Sequence, residues 1–513
     1  MASYIFKNRV KYEFLVLGIL IFLGMVFFLD LVPDNPGVTI TAAIAVVMAL
    51  WWVTEALPIG ITSLLPIILF PVFGVLDGES ISNTYINYVI FLFIGGFFMA
   101  LALEKWDLHK RLALRILSYL GGSPFNILCG FMLASAFLSM WMSNTATAMM
   151  MLPIVFSVTA ALEETHGVQK LRKFTTAILL GVAYGCSIGG IVTLVGTPPN
   201  LSFVRIFEII YPNAPEISFG QWLIFALPLS LIMFAVILAV LYLMFPPQKD
   251  LEVLDKSFFK EKYKELGAIT LEQKRVFVLF IFLVFMWIFR KTLSVGNFYI
   301  PGWSSVFPEP SFINDGTIAI FIAILLFIVP ESNKKEGLLT WDVVPKIPWG
   351  IILLFGGGFA LAKGFIDSGL SNYVGEKLIA AGNLSDMSLL FTVTGLMTFL
   401  TEFTSNTATT EMMLPIVSGL TNQIQINPLF IMIPVTIAAS MAFMFPIATP
   451  PNAVVFSSGK LKMLDMFKAG LIINIIGIIM VVVVFYYWGT LVFDIDPSIM
   501  PDWAKDNTPN LKH

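Results

Sequence analysis

The chain has 513 residues, 58% of them hydrophobic and 12% charged, with a formal net charge of −3 and a mean hydropathy of +0.87. Soluble globular chains carry about 25% charged residues. The composition therefore excludes a water-soluble enzyme, a nucleic-acid binder and a disordered scaffold, and describes a polytopic membrane protein.

The chain opens MASYIFKNRVKYEF and runs into about 18 apolar residues without a small-residue cleavage site, which reads as a first membrane helix rather than a removed signal peptide. Predicted spans follow the apolar segments 12–31, 38–57, 59–76, 88–104, 174–195, 221–245, 276–295, 315–330, 347–365, 428–447 and 466–492. Each is near the ~20 residues that cross about 30 Å of hydrocarbon. Two further apolar stretches, 124–162 and 387–425, are about twice one span, and a polar tripeptide interrupts each. They read as re-entrant helical hairpins whose tips stop inside the membrane. The predicted fold is all-α: eleven transmembrane helices plus two re-entrant hairpins. Amphipathic segments at 105–120 and 366–385 follow the fourth and ninth spans and are expected along the membrane surface.

Cys129 and Cys186 lie in apolar stretches, as packed thiols do, and His109, His166 and His513 fall in polar segments without metal-ligand spacing. With a cytoplasmic N-terminus, 23 of the 30 Lys and Arg residues fall inside, from Lys7, Arg9 and Lys11 through the basic loop 246–275 to Lys334, Lys335, Lys460, Lys462 and Lys468. Eleven crossings then leave the acidic tail outside.

The strongest feature is internal repetition. FLSMWMSNTATAMMMLPIV at 137–155 matches FLTEFTSNTATTEMMLPIV at 399–417 at 13 of 19 positions. Gly95-Gly96-Phe97 recurs at the same offset as Gly357-Gly358-Phe359, and GTPPN at 196–200 recurs as ATPPN at 448–452. In this topology the fourth span runs inward and the ninth outward, so the repeat is inverted. Inverted repeats with broken helices in equivalent places mark secondary transporters and their midplane sites. Packing alone would preserve size and apolarity, not Ser-Asn-Thr at a depth where unsatisfied polar groups are costly.

Ser143-Asn144-Thr145 and Ser405-Asn406-Thr407 suit helix N-caps, so each tripeptide is expected to end one hairpin arm and begin the next. The ending arm presents free carbonyls; the starting arm presents free N–H groups. One tip can thus face a small hard cation on one side and a carboxylate on the other. The double prolines of each TPPN remove donors and disfavour helix before them, freeing the carbonyls of Gly196 and Ala448. Glu55, Glu402 and Glu411 are intramembrane carboxylates, and Glu402 stays outside the core site because its counterpart is Met140.

At these residues the chain resembles the divalent anion/sodium symporter family, which includes bacterial dicarboxylate transporters and animal sodium–dicarboxylate and sodium–citrate cotransporters. The paired SNT motifs, the TPPN loops, WWVTEALPIG at 51–60 and GGGFALAKG at 356–364 carry the likeness over essentially the whole chain. The resemblance implies a homodimer in a lipid bilayer, with sodium as coupling ion and a di- or tricarboxylate sharing one site. It implies a first sodium site at Ser139, Ser143, Asn144 and Gly196, and a second at Thr401, Thr404, Asn406 and Ala448. Substrate carboxylates would meet Asn144, Thr145, Ser405, Asn406, Thr407 and Thr449. Met142 and Thr404 make the two tips unlike.

The expected organisation is a scaffold part at 1–120, a transport part at 121–245 with its hairpin at 124–163, and a cytoplasmic linker at 246–275. A second scaffold part at 276–385, a second transport part at 386–495 and an outside tail at 496–513 complete it. The expected function is sodium-coupled symport of C4-dicarboxylates (succinate, malate, fumarate) across a bacterial inner membrane by an elevator movement. The alternatives are a sodium-independent exchanger, or a citrate or sulfate carrier on the same fold. An enzyme is not expected, because the motifs hold no His, Cys or HExxH-like set.

Overall fold

The computed structural model describes residues 10–120, 122–248, 256–296, 298–332, 336–380 and 385–505. Lys7, Arg9, Lys249, Lys334, Lys335 and the tail from residue 506 lie outside the described residues.

Apolar sequence folds as helix in such a chain because helices satisfy their own backbone polar groups. α1 (Tyr12–Phe28) and α2 (Pro36–Thr54) open the fold. The third predicted span, 59–76, is broken: α3 (Ile59–Thr62) stops and α4 (Leu65–Val72) restarts. Pro66 has no N–H to continue the ladder, and the Ser63 hydroxyl instead donates to the Ile59 carbonyl at 2.8 Å. α5 (Gly78–Tyr85) precedes α6 (Tyr88–Lys105), which carries Gly95-Gly96-Phe97, and amphipathic α7 (Leu108–Leu120) follows.

α8 (Pro124–Ser139) and α9 (Asn144–His166) form the first hairpin. α10 (Val168–Ile191) and α11 (Pro198–Ile210) flank GTPPN, and α12 (Phe219–Met244) ends the first half. α13 (Lys256–Glu265), α14 (Leu271–Ile288), a short antiparallel β pair (Leu293–Val295 with Phe298–Ile300) and α15 (Asp315–Ile328) link the halves. The order then repeats. α16 (Trp349–Ser368) and α17 (Leu370–Ala380) answer α6 and α7; α18 (Asp386–Leu400) and α19 (Asn406–Ile424) form the second hairpin. α20 (Leu429–Ala439) and α21 (Pro450–Phe456) flank ATPPN, and α22 (Met463–Val484) continues through a π turn at Phe485–Gly489.

Among the described residues, seven helices are long and apolar enough to cross a membrane. Six shorter apolar helices accompany them among the described residues, so helix length does not by itself return the predicted eleven. The segment 428–447 differs most: α20 stops at Ala439 and residues 440–449 are irregular.

α10 is the buried centre, packed by both arms of the first hairpin, by α12 and by α21. Gly189 permits this, because a Cβ there would lie 2.1 Å from the Ala136 carbonyl oxygen of α8. α19 packs on α11, α16, α17 and α20. Each SNT helix therefore meets the TPPN helix of the other half, α9 with α21 and α19 with α11. A buried cluster pins one end of the bundle: Arg290 Nε donates to Asp315 at 2.5 Å, Arg290 also pairs with Glu216, and Asp315 accepts the Phe219 N–H at 3.2 Å. It joins the starts of α12 and α15 to the end of α14.

Candidate substrate and cation site

At the first tip, Ser143 is the N-cap of α9 and accepts the Ala146 N–H at 3.2 Å, as its sequence predicts. The Asn144 amide turns one terminal atom toward three oxygens: Ser139 Oγ at 2.5 Å and the carbonyls of Cys186 and Gly196, each at 3.2 Å. With nitrogen in that place the two amide N–H bonds face these three oxygens. With oxygen there, four oxygens converge, the donor set that a small hard cation requires. Gly190 keeps the space open, since a Cβ on it would lie 2.6 Å from Asn144 Oδ1 and 3.0 Å from the Gly196 carbonyl oxygen.

The bend at 192–197 is held from two directions. The Thr193 hydroxyl donates to the Met140 carbonyl at 2.5 Å and accepts the Gly196 N–H at 3.0 Å. The Asn200 amide donates to the carbonyls of Thr193 at 2.8 Å and Ile191 at 3.2 Å, covering the open end of α10. Thr145 stands in the first turn of α9, partly exposed.

The second tip repeats the plan with changes. Thr401 Oγ1 lies 2.8 Å from Asn406 Oδ1 and 2.7 Å from the Ala439 carbonyl. One hydroxyl proton serves two acceptors, so three oxygens converge here, against four at the first tip. Thr404 is committed within its own hairpin, donating to Leu400 O at 2.9 Å and meeting Thr409 Oγ1 at 2.5 Å. Ser405 makes no side-chain cap bond, so it leaves the first N–H groups of α19 to another acceptor. Thr407 is buried in that first turn. Ala448 is buried in the bend, and Thr449 caps α21 by accepting the Asn452 N–H at 3.3 Å. Asn452 mirrors Asn200, donating to Ala442 O and Phe445 O, each at 3.1 Å.

Two features went unread in the sequence, and a third was read without its role. Asn200 and Asn452 are the last letters of TPPN, and their symmetric recurrence was the available signal. Gly190 carried none beyond its place in a Gly pair. Glu402, kept outside the core site, is a buried anchor for the irregular stretch. Its carboxylate accepts the N–H groups of Phe443 at 2.7 Å, Met444 at 2.9 Å and Phe445 at 3.2 Å, and the Asn474 amide at 2.6 Å. Glu55 is exposed at the left-handed end of α2. Glu411 is buried, one turn of α19 beyond Thr407.

A cavity of about 850 Å³ extends from Met142 and Ala146 at the first tip, between α9, Lys110 of α7 and Phe258 and Lys262 of α13. His109 of α7 borders it; burial holds this imidazole below its usual range, and Nδ1 lies 2.7 Å from the Leu103 carbonyl. Neither tip nor either TPPN turn contains Lys or Arg. The arrangement can gather cations on hydroxyl, amide and carbonyl oxygens and accept an anion on helix-start N–H groups.

The chain matches the family described as the sodium:sulfate symporter transmembrane region over residues 11–495. It is 41% identical over 494 residues to a sodium-dependent dicarboxylate transporter, SdcS, of Staphylococcus saprophyticus, covering 94% of this chain and 92% of that one. The SdcS protein of Staphylococcus aureus is 40% identical over 496 residues, with the same coverage. Among solved structures, Neisseria gonorrhoeae MtrF, of a class of antimetabolite efflux pumps, superposes with a TM-score of 0.53 at 12% identity, covering 91% of this chain and 96% of that one. The Alcanivorax borkumensis YdaH transporter gives a TM-score of 0.51 at 12% identity, covering 81% and 90%. At that identity the two structures speak to the fold alone.

Proposed function

The chain belongs to the sodium:sulfate symporter family, and from that membership we propose that it is a secondary active transporter, not an enzyme, coupling sodium entry to uptake of C4-dicarboxylates such as succinate, malate and fumarate. The names of the Staphylococcus relatives support sodium as coupling ion and a dicarboxylate as substrate. The observation that carries the reading is the pair of oxygen clusters, Ser139–Asn144–Gly196 and Thr401–Asn406–Ala439, at two hairpin tips without a basic side chain.

A dicarboxylate is a dianion at neutral pH. Carried alone it would face desolvation and an inside-negative potential, the latter about 2.3 kcal/mol per charge per 100 mV. Two sodium ions, one per tip, neutralise it. Asn144 and Asn406 then sit between cation and carboxylate, with Ser143, Thr404 and Ala448 completing the sodium sites and Thr145, Ser405, Thr407 and Thr449 on the substrate side. The proposed movement is an elevator: the hairpins, α10–α12 and α20–α22 travel together against α1–α7 and α14–α17, in a homodimer. The proposed orientation has eleven crossings, inverted repeats, the N-terminus cytoplasmic and the C-terminus outside, in a bacterial inner membrane.

Radiolabelled succinate uptake into proteoliposomes, with and without an inward sodium gradient, tests this. Accumulation should require sodium. Equal accumulation in potassium or choline would overturn symport and point to exchange.

A further inference from the structure

We propose that Glu411 is a proton-binding site, held as a neutral carboxylic acid where α19 meets α11 and α16. The side chain is fully buried. Oε1 accepts one hydrogen bond, from the Ser202 hydroxyl of α11 at 2.9 Å, and Oε2 has no partner. From the other side α16 presents Gly358, where a Cβ would lie 2.2 Å from the Glu411 carboxyl carbon and 2.3 Å from Oε2. The carboxyl is pressed onto bare backbone.

Compensating charge is absent from the described elements around it. α20 carries no titratable side chain. The cations on the other helices packed against α19 are engaged elsewhere. Arg205 of α11 pairs with Glu208 at 3.3 Å, Lys363 of α16 with Asp367 at 3.0 Å, and Lys377 of α17 lies over the Tyr373 ring at 5.3 Å. Glu55, at the end of α2, and Glu376 of α17 are exposed. Tyr85 of α5 also faces Glu411, and its hydroxyl donates to the Ser63 carbonyl at 2.6 Å.

An ionised carboxylate in these surroundings would rest on one neutral hydroxyl, whereas the neutral acid gives up far less hydration. Glu402 makes the contrast: equally buried, it receives three backbone N–H groups and an amide, a setting built for an anion. The proton is bound while α19 is packed on α11 and α16, so acidification favours that packing by linkage.

Infrared spectra of the purified full-length chain in lipid at neutral pH read the carbonyl stretch of a protonated acid directly, without substrate. This separates the inference from the transport reading. The wild type should show that band, Glu411→Gln should lose it, and Glu402→Gln should keep it. A band that survives Glu411→Gln, or a wild type without one, overturns the proposal. Should Glu411→Gln not fold, Ser202→Ala decides: losing the bond to Oε1 should move the band to higher frequency, and an unmoved band overturns it. Thermal melting adds a second readout. Wild-type stability relative to Glu411→Gln should fall as pH rises, because the packed state holds a proton that base withdraws; parallel profiles count against the site.

Discussion

Asn144 and Asn406 each stand where one hairpin arm has ended and the next begins, so one amide can face carbonyl oxygens on one side and helix-start N–H groups on the other. Asn406→Ala should weaken the apparent affinities for sodium and succinate together. Roughly tenfold in each, about 1.4 kcal/mol, is expected because coupling between bound ligands is reciprocal. Thr407→Ala should weaken succinate alone. Uptake titrated against each ligand separates the two, and unchanged sodium dependence in Asn406→Ala would show that the tip does not join them. Gly190→Ala tests the first cluster from behind. Its Cβ would displace the Asn144 amide from 2.6 Å, so the sodium concentration for half-maximal uptake should rise while the protein still folds.

At the scale of elements, the two halves solve one problem differently. Each must break a helix before TPPN, and broken backbone at depth needs partners. The first half uses Thr193 and Asn200 over a short bend. The second leaves ten residues irregular and lays the Glu402 carboxylate across three of their N–H groups. Glu402→Ala would leave those donors and the Asn474 amide unpaired, at about 1–3 kcal/mol each. Thermal melting in detergent should show one of the largest single-residue losses in the chain, with a total above about 3 kcal/mol. Arg290→Ala should cost about 3–5 kcal/mol by stranding the buried Asp315 carboxylate. None of the hydrogen-bond partners of Arg290 belongs to either oxygen cluster, so the sodium dependence of the surviving folded protein should be unchanged.

For the whole molecule, the crossed packing of α9 with α21 and α19 with α11 ties each hairpin to the opposite half, so the two tips share one rigid neighbourhood. A shared substrate requires them to travel together. Cysteines placed on α9 near Met150 and on α7 near Leu114, which border the same cavity, should crosslink in one transport state and lose that crosslink in the other. Identical crosslinking with sodium, with sodium plus succinate and with neither would count against an elevator.

The membrane class, the repeat and the helix breaks at the two Ser-Asn-Thr tripeptides were legible in the linear chain. Hydropathy and local capping chemistry are properties of neighbours in sequence, and a duplicated motif announces itself by recurrence. The predicted hairpins at 124–162 and 387–425 correspond to helices at Pro124–His166 and Asp386–Ile424. The interruption at Ser63 and the ten-residue extent of the break before ATPPN were not legible, because apolar residues continue through both and hydropathy does not register a missing N–H. Nor were Gly190 behind Asn144, Glu402 on a loop some forty residues away, or Glu411 buried between two helices with a single donor. Those depend on which distant backbone arrives beside a side chain. Only the tertiary structure decides that, because the cost of a buried polar group is set by its partners in space and not by its neighbours in the chain.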